Sequence, residues 1–175
     1  MDRAMLMDQI DFVRQGGGTK RYHTKSIIHE NTVGHHSFGV AWFSYLLKET
    51  PDPIMLVMAA LSHDLSEHIT GDVSSPTKKK YPELAKMLTD MEEGLLEEAG
   101  LGFHRHLSED DRRKLKIADC LDGMVFCINE MELGNKSVFQ IYGRYCQYVE
   151  ALKPNAHEWA VYAAVRLLKE KYVGR

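Results

Sequence analysis

The sequence predicts an all-α fold, a globular bundle of about seven helices forming one domain over residues 1–175. Three observations predict it. Apolar residues recur at i, i+3 and i+4 in window after window. No run alternates apolar and polar residues in the manner of a half-buried strand. Ser, Thr and Asn caps and Gly stops divide the helical windows.

The first helix is expected near Ala4 to Gln15, stopped by Gly16 to Gly18, with "KRYHTKSIIHEN" as a loop after it. Thr32 is a cap for the second helix, whose Val33, His36, Val40, Phe43 and Leu47 share one face. His36 is the polar member of that stripe. Pro51 and Pro53 open a third helix through roughly Glu67, and "TGDVSSPTKKK" reads as a loop. Pro82 to Ala99 reads as an acidic amphipathic helix ended by Gly100. Ser108 and Asp111 resemble a capping box for a long helix with Ala118, Leu121, Val125, Ile128 and Met131 on one face, ended by Gly134. Two more helices follow, near Ser137 to Leu152 and, capped by Asn155, Ala156 to Tyr172.

Composition narrows the class. The chain is 44% hydrophobic and 27% charged, as soluble globular proteins are. The longest apolar run, Ile54 to Leu61, is too short to span a bilayer, and the N-terminus shows no secretory signal. A net charge of −3 argues against a nucleic-acid binder. Cys120, Cys127 and Cys146 are odd in number and form no C-x-x-C, which points to reduced thiols and a cytoplasmic protein. The unusual count is His, at nine.

The chemistry concentrates in "LSHDLSEHITGD", where the most apolar helix runs into His63, Asp64, Glu67 and His68. His36 lies on a core face and Asp119 beside the apolar stripe of the long helix. Polar groups so placed need partners. A divalent cation between three helices would satisfy His36, His63, Asp64 and Asp119 together, and such a donor set suits Mn, Fe, Co, Ni or Zn. Spacing alone leaves the alternative open, in which His36 is a core histidine bonded to a carbonyl and Asp119 an ordinary helix-edge acid.

The pattern H…HD…D resembles that of the HD-domain phosphohydrolases, an all-α superfamily. "ENTVGHHSFGVA", "LSHDLSEHITGD" and "KIADCLDG" resemble blocks of the bacterial 5'-deoxynucleotidases, and still more those of small phage enzymes that hydrolyse dATP. "RYHT", "TVGHHS" and "GDVSSPTK" are the most telling pieces, and the match covers roughly Lys20 to Gly123. The resemblance implies a metal held by His36, His63, Asp64 and Asp119. It implies Glu67 as the group that orients or deprotonates the attacking water. Asp72 would assist catalysis, protonate the leaving oxygen, or join Glu67 in holding a second ion.

By the same resemblance Arg21 and Lys78 contact phosphate and Tyr22 packs on base or sugar, although family members often carry Trp there. Asp122, one turn after Asp119, either orients a ligand or faces water. His104 and His106 are either extra metal ligands or exposed loop histidines, and His23 and His29 flank the substrate segment without an assigned role. His68 stands where stringent-response hydrolases of the superfamily carry an acid, which points away from that activity.

The expected function is a metal-dependent phosphohydrolase of 2'-deoxynucleotides, and foremost a dATP triphosphohydrolase releasing deoxyadenosine and triphosphate. A 5'-deoxynucleotidase acting on monophosphates is the alternative, and an inactive nucleotide-binding module a third reading. The expected partners are a small deoxynucleotide and further copies of the chain, a dimer or hexamer built through the last two helices. No nucleic acid or membrane is expected, and the compartment is the cytoplasm, that of a host if a phage encodes the chain.

Overall fold

The computed structural model describes residues 2–49 and 52–174. Among these residues the ordered structure is helical, with one isolated bridge between Lys20 and Thr32. In chain order the helices are α1 (Arg3–Gly17), α2 (Val33–Leu47), α3 (Ile54–Ser62), α4 (Glu67–Thr70), α5 (Ser75–Lys80), α6 (Pro82–Glu98), α7 (Glu109–Glu132), α8 (Phe139–Ala151) and α9 (Ala156–Tyr172).

The caps act as their residue types require. Thr32 accepts from the His35 amide and Ser108 from the Asp111 amide, which satisfies one orphan donor at each helix start. Asn155 and Glu158 form a reciprocal capping box at α9. Gly100 and Gly134 follow α6 and α7 at φ of 70° and 91°, a left-handed backbone that glycine adopts without strain.

α7 is the axis of the molecule. It packs against α2, α3, α8 and α9. Val40, Leu47, Ile117, Leu121, Met124, Cys127, Val149 and Tyr162 form the centre of its core. Burying a side chain such as Leu121 contributes roughly 1.5–3 kcal/mol. α2 is apolar nearly all round: Val33, His36, Val40 and Leu47 are buried, whereas Phe38, Trp42 and Tyr45 face outward.

α7 also anchors the loop before α2. The fully buried Glu130 accepts hydrogen bonds from the Ile28 and His29 amides, both at 2.7 Å, and from Asn135 at 2.6 Å. Burial opposes its charge, but these donors outweigh it and hold its pKa below the ordinary glutamate value. The Arg21 amide donates to Asn31 across the base of the same loop.

Several boundaries differ from the sequence expectation. α1 continues to Gly17, two residues into the glycine run. Packing explains it: a Cβ on Gly16 would lie 2.4 Å from the Leu65 carbonyl oxygen, so the helix needs glycine there to meet its neighbour. The third helix stops at Ser62 and not at Glu67. The Ser62 hydroxyl bonds the Met58 and Leu101 carbonyls and His63 Nδ1 bonds the Ala60 carbonyl, so side chains take up the helix end. Pro53 stands at its N-cap, while Pro51 lies outside the described residues. The expected loop "TGDVSSPTKKK" contains α5, with Pro76 in its first turn. A 3-10 turn over Lys136–Val138 precedes α8.

Candidate active site

Three elements converge on one point. α2 brings His36, the turn after α3 brings His63 and Asp64, and α7 brings Asp119. His36 Nε2 lies 3.1 Å from Asp119 Oδ1 and 3.7 Å from Asp64 Oδ2, and His63 Nε2 lies 3.3 Å from Asp64 Oδ2. One ligand atom each from His36, His63 and Asp119 falls within 4.8 Å of the other two, and Asp64 joins them through the imidazoles. His36 is buried, but Asp119 is 41% exposed, so the sequence argument from burial holds for His36 and not for Asp119.

Both imidazoles are held from behind. His36 Nδ1 is 2.6 Å from Asp122 Oδ2 and His63 Nδ1 is 2.7 Å from the Ala60 carbonyl. Their Nε2 atoms are buried without a hydrogen-bond partner. Two orphaned nitrogens facing carboxylates fit a divalent cation, which would remove the cost of leaving them unpaired.

A cleft of about 780 Å³ opens over this group. Arg21, Tyr22, Glu67, Asp72 and Lys78 all line it. Glu67 is buried with Oε2 unpartnered, and its amide bonds the Asp64 carbonyl, so a single turn ties the two acids together. Burial, then repulsion from Asp64 and Asp72, pushes its carboxyl up to about 9 against the pull of Arg21 and Lys78. Burial opposes the Arg21 charge, yet Asp64, Tyr22 and Asp119 outweigh it and raise its pKa. Asp72 Oδ2 lies 4.0 Å from His23 Nδ1, and Lys78 Nζ lies 4.0 Å from Glu92 Oε1.

Tyr22 has φ of 56°, a left-handed backbone rare for a bulky side chain. Its ring stacks on Phe126 with centroids 4.5 Å apart, and its hydroxyl pairs with that of Tyr145 at 2.7 Å. One face of the ring is therefore filled by the protein itself. Burial raises its pKa.

Asp122 is directed at His36 and not at water, and burial pushes its carboxyl up to about 7. His104 lines the cleft with Nε2 3.4 Å from Glu93 Oε1, whereas His106 is exposed at a separate surface groove. His29 is exposed.

The sequence reading missed Tyr145, Lys116 and Arg144 on the cleft wall. A Cβ on Gly123 would meet the Tyr145 ring at 2.4 Å, so that glycine was the available signal. Lys116 falls one turn before Asp119 on α7, a spacing that could have revealed it.

A family model for YfbR-like 5'-deoxynucleotidases matches residues 17–166. A 5'-deoxynucleotidase of Vibrio parahaemolyticus is 30% identical, over 63% of this chain and 68% of its own. One of Vibrio cholerae is 29% identical, over 66% and 70%. Among solved structures, an HD-domain phosphohydrolase of Listeria innocua superposes with a TM-score of 0.77 at 20% identity, covering 97% of this chain and 91% of that one. A Pyrococcus horikoshii protein does so at 0.68 and 19%, over 94% and 98%. These two likenesses bear on the fold.

Proposed function

Because the chain belongs to the YfbR-like 5'-deoxynucleotidase family, we propose that it hydrolyses deoxynucleoside 5'-monophosphates to deoxynucleoside and phosphate. The observation that carries this reading is the pair of orphaned Nε2 atoms, on His36 and His63, beside Asp119 on the wall of the cleft. His36, His63, Asp64 and Asp119 would hold one divalent ion, whose identity among Mn, Co, Zn, Ni and Fe the donor set leaves open. Bound there, the ion supplies Lewis-acid charge for the phosphate and for the attacking water.

The chain's own groups do the rest. Arg21 offers a planar guanidinium to the phosphate, and Lys78 adds a point charge on the same wall. Glu67 receives the proton of the attacking water. Burial first, and then repulsion from Asp64 and Asp72, raises its pKa, and a divalent cation held beside it would bring the group back towards its ionised form. Asp72, on the same wall, would hand a proton to the departing 5'-oxygen or join Glu67 in holding a second ion. Tyr22 and Tyr145, joined through their hydroxyls, wall the space for the sugar.

The expectation of a dATP triphosphohydrolase finds no support among the relatives, which are 5'-deoxynucleotidases, and the monophosphate reading replaces it. The last two helices, through which the sequence reading expects homo-oligomerisation, expose Tyr148, Trp159, Leu167 and Leu168, and α2 offers a further apolar surface in Phe38, Trp42 and Tyr45. Sedimentation of Leu167→Glu and Trp42→Glu variants tells the two surfaces apart.

The reaction itself is tested with Asp64→Ala. Metal binding and phosphate release from deoxynucleotides fall together if the reading holds. A wild-type protein that binds nucleotide and metal without turnover returns the inactive-module reading.

A further inference from the structure

We propose that Asp122 is a positioning residue that fixes the tautomer and the aim of His36. The inference rests on the metal reading of the site given above. Asp122 and Asp119 are three residues apart on α7 and address the two nitrogens of one buried ring carried by α2. Asp122 Oδ2 is 2.6 Å from Nδ1, and Asp119 Oδ1 is 3.1 Å from Nε2. A carboxylate at Nδ1 accepts a hydrogen bond, so it keeps the ring proton on that nitrogen. The lone pair is then left on Nε2, the atom that is buried without a partner and faces Asp64 and Asp119.

The helix face around Asp122 is shaped for this contact. Gly39 lies one turn after His36 on α2, and a Cβ built there would meet Asp122 Oδ1 at 1.8 Å and its Cγ at 2.7 Å. Any side chain at position 39 would push the carboxylate off Nδ1. The glycine in "HSFGVA" is therefore part of the same device, a gap on α2 that admits an acid from α7. His63 needs no such acid, because the Ala60 carbonyl holds its Nδ1 at 2.7 Å. The two imidazoles are thus aimed by two different acceptors, and the one fully buried in the core receives the carboxylate.

Two variants separate aim from charge. Asp122→Asn removes the charge, and its amide presents either a donor or an acceptor to Nδ1. Gly39→Ala keeps the carboxylate but displaces it. Nitrogen-15 NMR of the metal-free protein at pH 8 reads which ring nitrogen of His36 carries the proton. Calorimetric titration with Mn or Co reads affinity, and circular dichroism confirms that each variant is folded. The proposal expects the proton on Nδ1 in the wild type and on Nε2 for a substantial share of rings in Asp122→Asn. It expects metal affinity to fall about 10- to 100-fold in both variants.

A wild-type ring protonated on Nε2 alone, or a tautomer unchanged in Asp122→Asn, overturns it. So does wild-type metal affinity in a folded Asp122→Asn. If Gly39→Ala fails to fold, the tautomer in Asp122→Asn decides. If the wild type binds no metal at all, the metal reading fails, and the tautomer measurement still answers for Asp122.

Discussion

The imidazole rings of His36 and His63 lie 5.3 Å apart, centroid to centroid, and each leaves its Nε2 buried without a hydrogen-bond partner. They come from different segments of the chain, so a cation shared between them ties α2 to the end of α3. Metal should therefore stabilise the fold. At a free concentration of 100 times Kd the gain is about 2.7 kcal/mol. Thermal unfolding with and without Mn or Co measures it. His63→Ala should abolish the upward shift in Tm while remaining folded without metal.

Glu67 should separate chemistry from metal binding. Glu67→Gln keeps the shape of the side chain and removes the proton acceptor. The expected result is a kcat lower by roughly 10²–10⁴-fold with metal affinity near that of the wild type. Steady-state kinetics and calorimetry on the same preparation check the pair of values.

Glu130 holds the loop that carries Arg21 and Tyr22, although it stands outside the cleft. Glu130→Ala leaves the Ile28 and His29 amides without their acceptor. Both bonds are only half-buried, so each one lost costs about 0.5–1.5 kcal/mol. The variant should unfold at a lower denaturant midpoint and show a raised KM, because the phosphate contact from Arg21 loses its support.

Glu158 gives the fold an acid limit. Arg113 donates to its two carboxylate oxygens at 2.7 and 2.6 Å, and the Asn155 amide donates at 2.8 Å. Burial opposes the charge, but these donors hold the folded pKa below the unfolded value. A depressed carboxylate pKa contributes stability that is complete above the unfolded pKa and is lost as pH falls through the folded one. Glu158→Gln should thus destabilise the protein at pH 7 by on the order of 1 kcal/mol, because Arg113 is partly exposed and keeps Asp110 as a partner. The gap to the wild type should narrow as pH drops below the ordinary glutamate range. Denaturant titrations at several pH values measure this.

The helices were legible because their signals are local. Thr32, Ser108 and Asn155 cap, and Gly100 and Gly134 stop, through hydrogen bonds and backbone angles that a short window specifies. The break at Ser62 was not legible, since Leu101, thirty-nine residues away, supplies one of the carbonyls that the serine bonds. That His36, His63, Asp64 and Asp119 lie together was legible from a motif and from a histidine on an apolar stripe. Tyr145 was not: a tyrosine on an amphipathic helix reads as core, and its place over Gly123 exists once α8 has packed on α7. The packing of Tyr22 was not legible for the same reason, because its stacking partner Phe126 is 104 residues on in sequence.

Product analysis tests the central claim most directly. The purified protein, supplied with Mn or Co, is incubated with each of the four deoxynucleoside monophosphates, the matching ribonucleotides and the deoxynucleoside triphosphates. Deoxynucleoside and inorganic phosphate from the deoxy monophosphates, with ribonucleotides and triphosphates largely untouched, is the predicted result. Intact triphosphate released from dATP, with monophosphates unchanged, would contradict it.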